Sequence, residues 1–239
     1  MVFRENLNNY CIFNATDKDQ LKMKKEKIGV LGSGIVGRTL AAGFEKFGYE
    51  VMIGSGEPGK LEKWKSSEGF KGRTGNFSET AAFGEILVLS VKGAGTTHVL
   101  QEAGEENING KIIIDTTNPI ADMEPVDGVL NFFTDLDNSL MEQLQNGFDQ
   151  ARFVKAFNSV GASLMIEPDF SNENPSMFIC GNDAAAKKKV AEIVSAFGWE
   201  VEDMGSAVAA RAIEPLCMLW CIPGFRENKW QHAFKLLRK

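Results

Sequence analysis

Histidine and cysteine are scarce in this sequence. It carries two histidines, His98 and His232, and four cysteines, Cys11, Cys180, Cys217 and Cys221, none in a CxxC pair. A zinc site is therefore not expected, and no other metal centre is suggested. Cys217 and Cys221 stand i,i+4 in an apolar stretch, the spacing of two buried thiols on one helix face. Basic charge is also lacking. The net charge is −6 and the pI about 5.2, so no broad positive field favours nucleic acid. No apolar run is read as reaching the roughly 18 residues that cross a bilayer. Tyrosine is confined to Tyr10 and Tyr49, which argues against a Tyr-x-x-x-Lys pair of the short-chain dehydrogenase type. Few cysteines and no signal-like apolar segment point to a cytoplasmic protein without membrane contact. Residues 1–26 are rich in Asn, then in Lys, and read as a loose arm.

What remains is ample for a core: 239 residues, 44% of them hydrophobic. From Lys27 onward, short apolar runs alternate with stretches of helical spacing. "KIGVLG", "YEVMIGS", "EILVLSV" and "GKIIIDTTNP" read as strands, with helices between them. Such alternation predicts an α/β protein with a Rossmann-type, doubly wound, mostly parallel sheet. Residues 27–150 form the expected nucleotide-binding domain. Residues 151–239 form an expected α/β and helical part packed on the same sheet. It should contain strands "ARFVKAFN", "PSMFICG" and "WEVEDMG", a helix over "SVGASLMIEP", and two closing helices, "AVAARAIEPLCMLWC" and "RENKWQHAFKLLRK".

Gly32, Gly34 and Gly37 form G-x-G-x-x-G directly after the first strand and at the start of a helix. In that context the motif carries a mechanism. Gly32 allows the tight turn, Gly34 lets backbone approach a pyrophosphate, and Gly37 lets helix and strand pack closely. The helix N-terminus offers free N–H groups and partial positive charge to the phosphates, and Ser33 can add a hydroxyl donor.

The turn after the second strand decides the dinucleotide. An acidic residue there would grip the ribose 2′-hydroxyl of NAD. This chain has Gly54 and Ser55 instead; Glu50 comes too early, and Glu57 would have to swing back. Without the carboxylate, Ser55 can donate to a 2′-phosphate and Lys60 can supply a point charge. The turn favours NADP(H).

The ordered blocks "IGVLGSGIVGRTLAAGF", "VMIGS", "VLSVKG", "IIDTTNP", "ARFVKAFNSVGA", "MFICGND" and "ARAIEPLCML" resemble the NADPH-dependent reductases of the deazaflavin coenzyme F420. They also resemble the related NADPH-binding domains of metalloreductases, which pass electrons from NADPH to flavin. The resemblance spans roughly Lys27 to Leu219. It implies a Rossmann fold, bound NADP(H), and hydride exchange with a flavin-like ring. It implies that Ser33, Ile35 and Val36 surround the pyrophosphate and that Ser55 and Lys60 meet the 2′-phosphate. Ser90, Val91 and Lys92 would lie beneath the adenosine side, with Asn118 and Pro119 near the nicotinamide ribose. Ala156, Asn158 and Ser159 would line the ring pocket. The family carries an arginine just after the serine of the turn, where this chain has Gly56. Some deazaflavin reductases have a histidine where Asn158 stands.

Hydride transfer between two rings needs positioning and exclusion of water more than acid–base help. Asn158, at a strand's carboxyl end, is the expected orienting residue. Lys155 reads as a strand-end surface charge. A helix-borne Lys–Asn pair of the β-hydroxyacid dehydrogenase type would need a long helical domain that the pattern lacks. Arg211 and Glu214 stand i,i+3 and are expected to pair; the sharper expectation has Arg211 facing an anionic acceptor. The aromatic tail, with Trp230 and Phe234, suits a helix buried in a homodimer. The expected activity is hydride transfer between NADPH and a flavin-like small-molecule acceptor, coenzyme F420, FMN or FAD. A dehydrogenase of a small carbonyl or imine substrate, and a non-catalytic dinucleotide sensor, are the alternatives.

Overall fold

The computed structural model describes residues 25–171 and 173–239. Most of the expected N-terminal arm thus lies outside the described residues, as does Cys11. The arm's last two residues are held: Glu26 pairs with Lys189 at 2.7 Å, and Lys25 Nζ donates to the Phe47 carbonyl.

The N-terminal half alternates strand and helix: β1 Ile28–Leu31, α1 Ile35–Lys46, β2 Val51–Gly54, α2 Pro58–Glu68, β3 Arg73–Gly75, α3 Phe77–Phe83, β4 Ile86–Leu89, α4 Thr96–Ala103, α5 Glu105–Ile108 and β5 Ile112–Asp115. After a long connection come α6 Leu140–Gly147, β6 Arg152–Lys155, β7 Ser176–Ile179, α7 Ala184–Ala196, β8 Glu200–Asp203, α8 Ala210–Ile213 and α9 Pro215–Glu227. Six strands form one parallel sheet in the order β3-β2-β1-β4-β5-β6. This is the doubly wound Rossmann order, with the chain reversing direction across the sheet between β1 and β4. Strands β1 and β4 are buried on both faces, as continuous apolar runs of parallel sheets must be.

One core packs α1 and α7 against the sheet through Leu40, Phe44, Val190 and Phe197. The other covers the opposite face with α4 and α6 through Leu100, Met141 and Leu144. Both cores draw residues from either side of position 150.

The C-terminal part departs from its sequence pattern in three places. β7 and β8 form a separate two-stranded parallel sheet, joined to β6 only by the antiparallel bridge Lys155↔Cys180. "SVGASLMIEP" makes a single 3-10 turn, Ala162–Leu164, instead of a helix. The last segment is not helical either. Asn228 takes a left-handed conformation (φ 53°) that ends α9, and the chain then runs as a strap. Trp220 Nε1 donates to the His232 carbonyl at 2.8 Å, and Ser176 N donates to the Phe234 carbonyl at 2.8 Å. Trp230 lies over Gly224, where a Cβ would stand 2.2 Å from the ring. Those aromatic residues are spent within the chain, so the pattern that suggested a partner-facing helix has an internal cause.

Ala207–Glu227 corrects a further expectation. It is a nearly continuous helical stretch with a window of mean hydropathy 1.3, long and apolar enough to cross a membrane by length and composition. Such a helix is weak evidence for a span. Within it, Glu214 is 1% exposed and bonded into the domain.

Candidate active site

A cleft of about 740 Å³ opens at the carboxyl ends of β1, β4 and β5, where an open α/β sheet binds ligands. Gly34, Ile35 and Val36 come to it from the turn after β1, and Ser90 to Ala94 from the turn after β4. Thr116, Thr117 and Asn118 come from the turn after β5. Ile120, Ala121, Asp122 and Phe133 close it from the long connection.

The glycine turn explains its own composition. Gly32 has φ +130°, and a Cβ there would lie 2.3 Å from the Ser90 carbonyl oxygen. A Cβ on Gly37 would lie 2.0 Å from the Gly32 oxygen. At Gly34, by contrast, a Cβ would meet no protein atom within 4 Å. Nothing in the fold requires glycine at that point, and the open space leaves the backbone accessible to a ligand. The first turn of α1 has no side-chain cap and no acidic residue, leaving its N–H groups for an anion. These features fit a dinucleotide pyrophosphate.

Ser55 is 8% exposed, and its Oγ lies 3.1 Å from Ser33 Oγ and accepts from Glu57 N at 3.1 Å. The serine expected at the pyrophosphate and the serine expected at the 2′-phosphate are therefore in contact. Lys60 is exposed and pairs with Glu57 at 2.7 Å, so Glu57 turns toward the lysine. An exposed pair of this kind is worth about 0–1 kcal/mol, weak enough for Lys60 to change partners. Gly56 has an ordinary φ, and a Cβ there would meet only the Phe77 ring, at 3.8 Å.

Two experiments follow from this turn. Ser55→Ala should lower the ratio of NADPH to NADH affinity about tenfold, the loss of one hydrogen bond to a charged group. Titration of both cofactors checks it; an unchanged ratio would remove Ser55 from phosphate recognition. Gly56→Arg should fit without strain and tighten NADPH binding about tenfold through a bidentate clamp. NADH affinity should stay constant.

Asn158 is 4% exposed and sits behind the cleft wall. Its Nδ2 donates to Asn118 Oδ1 and to the Ile213 carbonyl, both at 3.0 Å, and its own carbonyl accepts from Asn118 Nδ2 at 2.8 Å. Asn158 Oδ1 is buried and meets no donor among the described residues. Phe157, just before it, has φ 60°, a left-handed conformation costly for a bulky residue and typical of functional sites. Ala156, Ser159 and Pro119 are buried nearby in sequence but do not line the cleft.

Arg211 is not brought to the cleft. It forms a bidentate pair with Glu142, at 2.8 and 2.9 Å, and lines a separate pocket of about 200 Å³. That bond holds the Glu142 carboxyl below its usual range. The expected Arg211–Glu214 pair does not form because Glu214 points the other way, into the core. There Glu214 Oε1 lies 2.9 Å from Lys155 Nζ, and Asp115 Oδ2 lies 2.7 Å from the same ammonium. Lys155 is 0% exposed, not a surface charge. The sequence reading missed this cluster, although acids inside the apolar runs "IIID" and "AIEPL" were a signal for it. Cys217 is buried and Cys221 half-buried on α9. Burial pushes the Cys180 thiol up to about 12. No group of three or more candidate metal ligands occurs among the described residues.

The sheet order, the glycine turn and the cleft define a dinucleotide-binding protein of the Rossmann class. A profile of the family "NADP oxidoreductase coenzyme F420-dependent" matches residues 27–119. A protein from Arthrobacter sp. FB24, assigned as an F420-dependent NADP-reductase, has a crystal structure that superposes with a TM-score of 0.84. It is 33% identical, and the match covers 90% of this chain and 100% of that one. Rat metalloreductase STEAP3 is 30% identical over 205 residues. That match covers 82% of this chain but 38% of the metalloreductase, so the chain spans well under half of that relative. An imine reductase from Streptomyces aurantiacus shares the fold alone: 14% identity and a TM-score of 0.62 over 84% of this chain and 63% of the reductase. The chain belongs to the family of coenzyme F420-dependent NADP oxidoreductases, and it is an NADP-dependent oxidoreductase.

Proposed function

We propose that the chain transfers a hydride between NADPH and a flavin-like ring, a deazaflavin or a flavin. The observation that carries this reading is the cleft itself. Its volume, about 740 Å³, runs from the phosphate turn at Gly34 to an apolar end at Ile120, Ala121 and Phe133, where a second ring can lie beside the nicotinamide. Its lining is largely apolar, and its ionisable residues, Lys92 and Asp122, are both exposed. A site for reducing a small carbonyl would aim a buried donor at the oxygen; a site for stacking two rings needs flat walls and dryness.

In this reading NADPH, when bound, supplies the hydride from its nicotinamide. The protein's part is binding and orientation. The N-terminus of α1 and Gly34 take the pyrophosphate, and Ser33, Ser55 and Lys60 take the 2′-phosphate. Asn118, held by Asn158, orients the nicotinamide half. Ile35, Val36, Ile120 and Phe133 wall the second ring.

The test is NADPH oxidation with coenzyme F420, FMN, FAD, riboflavin, ferric chelates, small carbonyls and imines as acceptors. Turnover is expected with at least one ring acceptor. Turnover only with small carbonyls or imines, or none at all, would overturn the reading. We also propose a homodimer, formed through Leu219 and Phe225, which are 54% and 49% exposed on α9, and not through the tail. Light scattering checks it: Leu219→Lys should yield a monomer.

A further inference from the structure

Lys155 is among the largest fully buried side chains. An ammonium has three donors, and three oxygens surround this one, the carbonyl as a hydrogen-bond acceptor and the two carboxylates as ion-pair partners. They are Asp115 Oδ2 at 2.7 Å, Glu214 Oε1 at 2.9 Å and the Thr117 carbonyl at 2.8 Å. Asp115 Oδ1 in turn accepts from Thr117 N at 2.9 Å and from Thr117 Oγ1 at 2.7 Å. Glu214 accepts from the backbone N–H groups of Leu140 at 3.0 Å and Met141 at 2.9 Å. Two carboxylates outnumber one ammonium, and the unpaired N–H groups at the start of α6 supply the balance.

These partners share a position in the chain. Asp115 and Thr117 stand where β5 gives way to the connection 119–138. Leu140 and Met141 stand where that connection enters α6. The connection has no helix or strand, only the isolated bridges Ile120↔Phe132, Val126↔Val129 and Asp135↔Asn138. It nevertheless supplies the outer wall of the cleft through Ile120, Ala121, Asp122 and Phe133. One cation joins both its ends, directly at the β5 end and through Glu214 at the α6 end. The cluster also reaches the inner wall. Thr117 precedes Asn118, and the Ile213 carbonyl that takes Asn158 Nδ2 precedes Glu214.

We propose that Lys155 is a positioning residue for hydride transfer. Its buried ammonium staples the two stems of the 119–138 connection and so fixes the ring-binding wall without touching either ring. A proton-transfer role does not suit it, because the group is fully buried and held between two carboxylates. The inference rests on the proposed reading of the cleft.

The test uses Lys155→Met in the full chain, with two ligands. 2′,5′-ADP probes the adenosine half alone, and NADPH probes both halves. The expected result is 2′,5′-ADP affinity within about twofold of the parent and NADPH affinity weaker by about tenfold. The fluorescence enhancement of bound NADPH should fall, and amide hydrogen exchange should accelerate across 119–141. Adding Glu214→Gln to Lys155→Met, which removes one of the two negative charges left without a cation, should restore part of the protection. If Lys155→Met does not fold, Glu214→Gln alone replaces it, with the same pattern expected at smaller size. Parallel weakening of both ligands, or unchanged exchange across 119–141, would overturn the proposal. Neither readout needs an electron acceptor, so an acceptor panel that shows no turnover leaves this test intact.

Discussion

Gly34→Ala should bind NADPH about a hundredfold more weakly while melting within about 2 °C of the parent. The two halves of this expectation have separate causes. Gly34 has φ −70° and ψ −179°, which alanine adopts freely, and its Cβ would meet no protein atom within 4 Å. Folding should therefore not register the methyl group. The pyrophosphate should, because the methyl group would stand where the anion approaches the α1 N-terminus. A hundredfold loss corresponds to about 2.8 kcal/mol. The control is Gly37→Ala, whose Cβ would lie 2.0 Å from the Gly32 carbonyl oxygen and 2.7 Å from Ser90 Oγ. Overpacking against backbone should cost about 1–3 kcal/mol of stability or more. Calorimetry and cofactor titration on both variants separate a binding glycine from a packing glycine. If Gly34→Ala kept full affinity, the phosphate site would have to be sought elsewhere.

Glu214→Ala should destabilise the fold by about 3–5 kcal/mol, measured by denaturant titration. The loss is large because the alanine leaves the Lys155 ammonium with one carboxylate and strips Leu140 N and Met141 N of their acceptors. The same cluster predicts an alkaline limit. Burial works against the charge on Lys155, but attraction to Asp115 and Glu214 outweighs it and raises the pKa above 10.5. A group whose pKa is raised by folding contributes fully below its unfolded value and loses that contribution as pH rises through the folded one. Parent stability should therefore hold to about pH 10.5 and fall above it. In Glu214→Ala the fall should be smaller, because removing that carboxylate brings the folded pKa back toward the unfolded one.

The nucleotide-binding half was readable because its signals are local. Each of β1, β2, β4 and β5 is an apolar run ended by a turn, and the glycine spacing sits between a strand and a helix. The contact of Ser33 with Ser55 was not read in advance; it follows from the sheet order, which places the ends of β1 and β2 side by side. The Lys155 cluster was not readable. Its members come from β5, β6 and the α8–α9 junction, and no spacing rule links Asp115, Lys155 and Glu214. The i,i+3 rule even misassigned Glu214, because Arg211 found a better bidentate partner in Glu142 on another helix. The tail failed for a related reason. Its apolar residues recur with helical spacing, but tertiary contacts with Trp220 and Ser176 override that spacing. Ile120 and Phe133 belong to a connection without periodicity, so nothing in the sequence could assign them to the cleft.

Gly54 has a bearing on what mutation can reach. Glycine codons lie a single base from those of aspartate and of glutamate, so the genetic code offers a short path to an NAD-type carboxylate at the end of β2. The fold closes it. A Cβ at Gly54 would lie 2.6 Å from Thr80 Oγ1 and 3.0 Å from the Asn76 carbonyl oxygen. A lineage drifting toward NAD would have to place its acid beyond Gly54, at Ser55, where the hydroxyl already faces Ser33, or at the open Gly56. The packing of α3 against β2 thus removes the carboxylate variant at Gly54 from those a single base change can usefully supply.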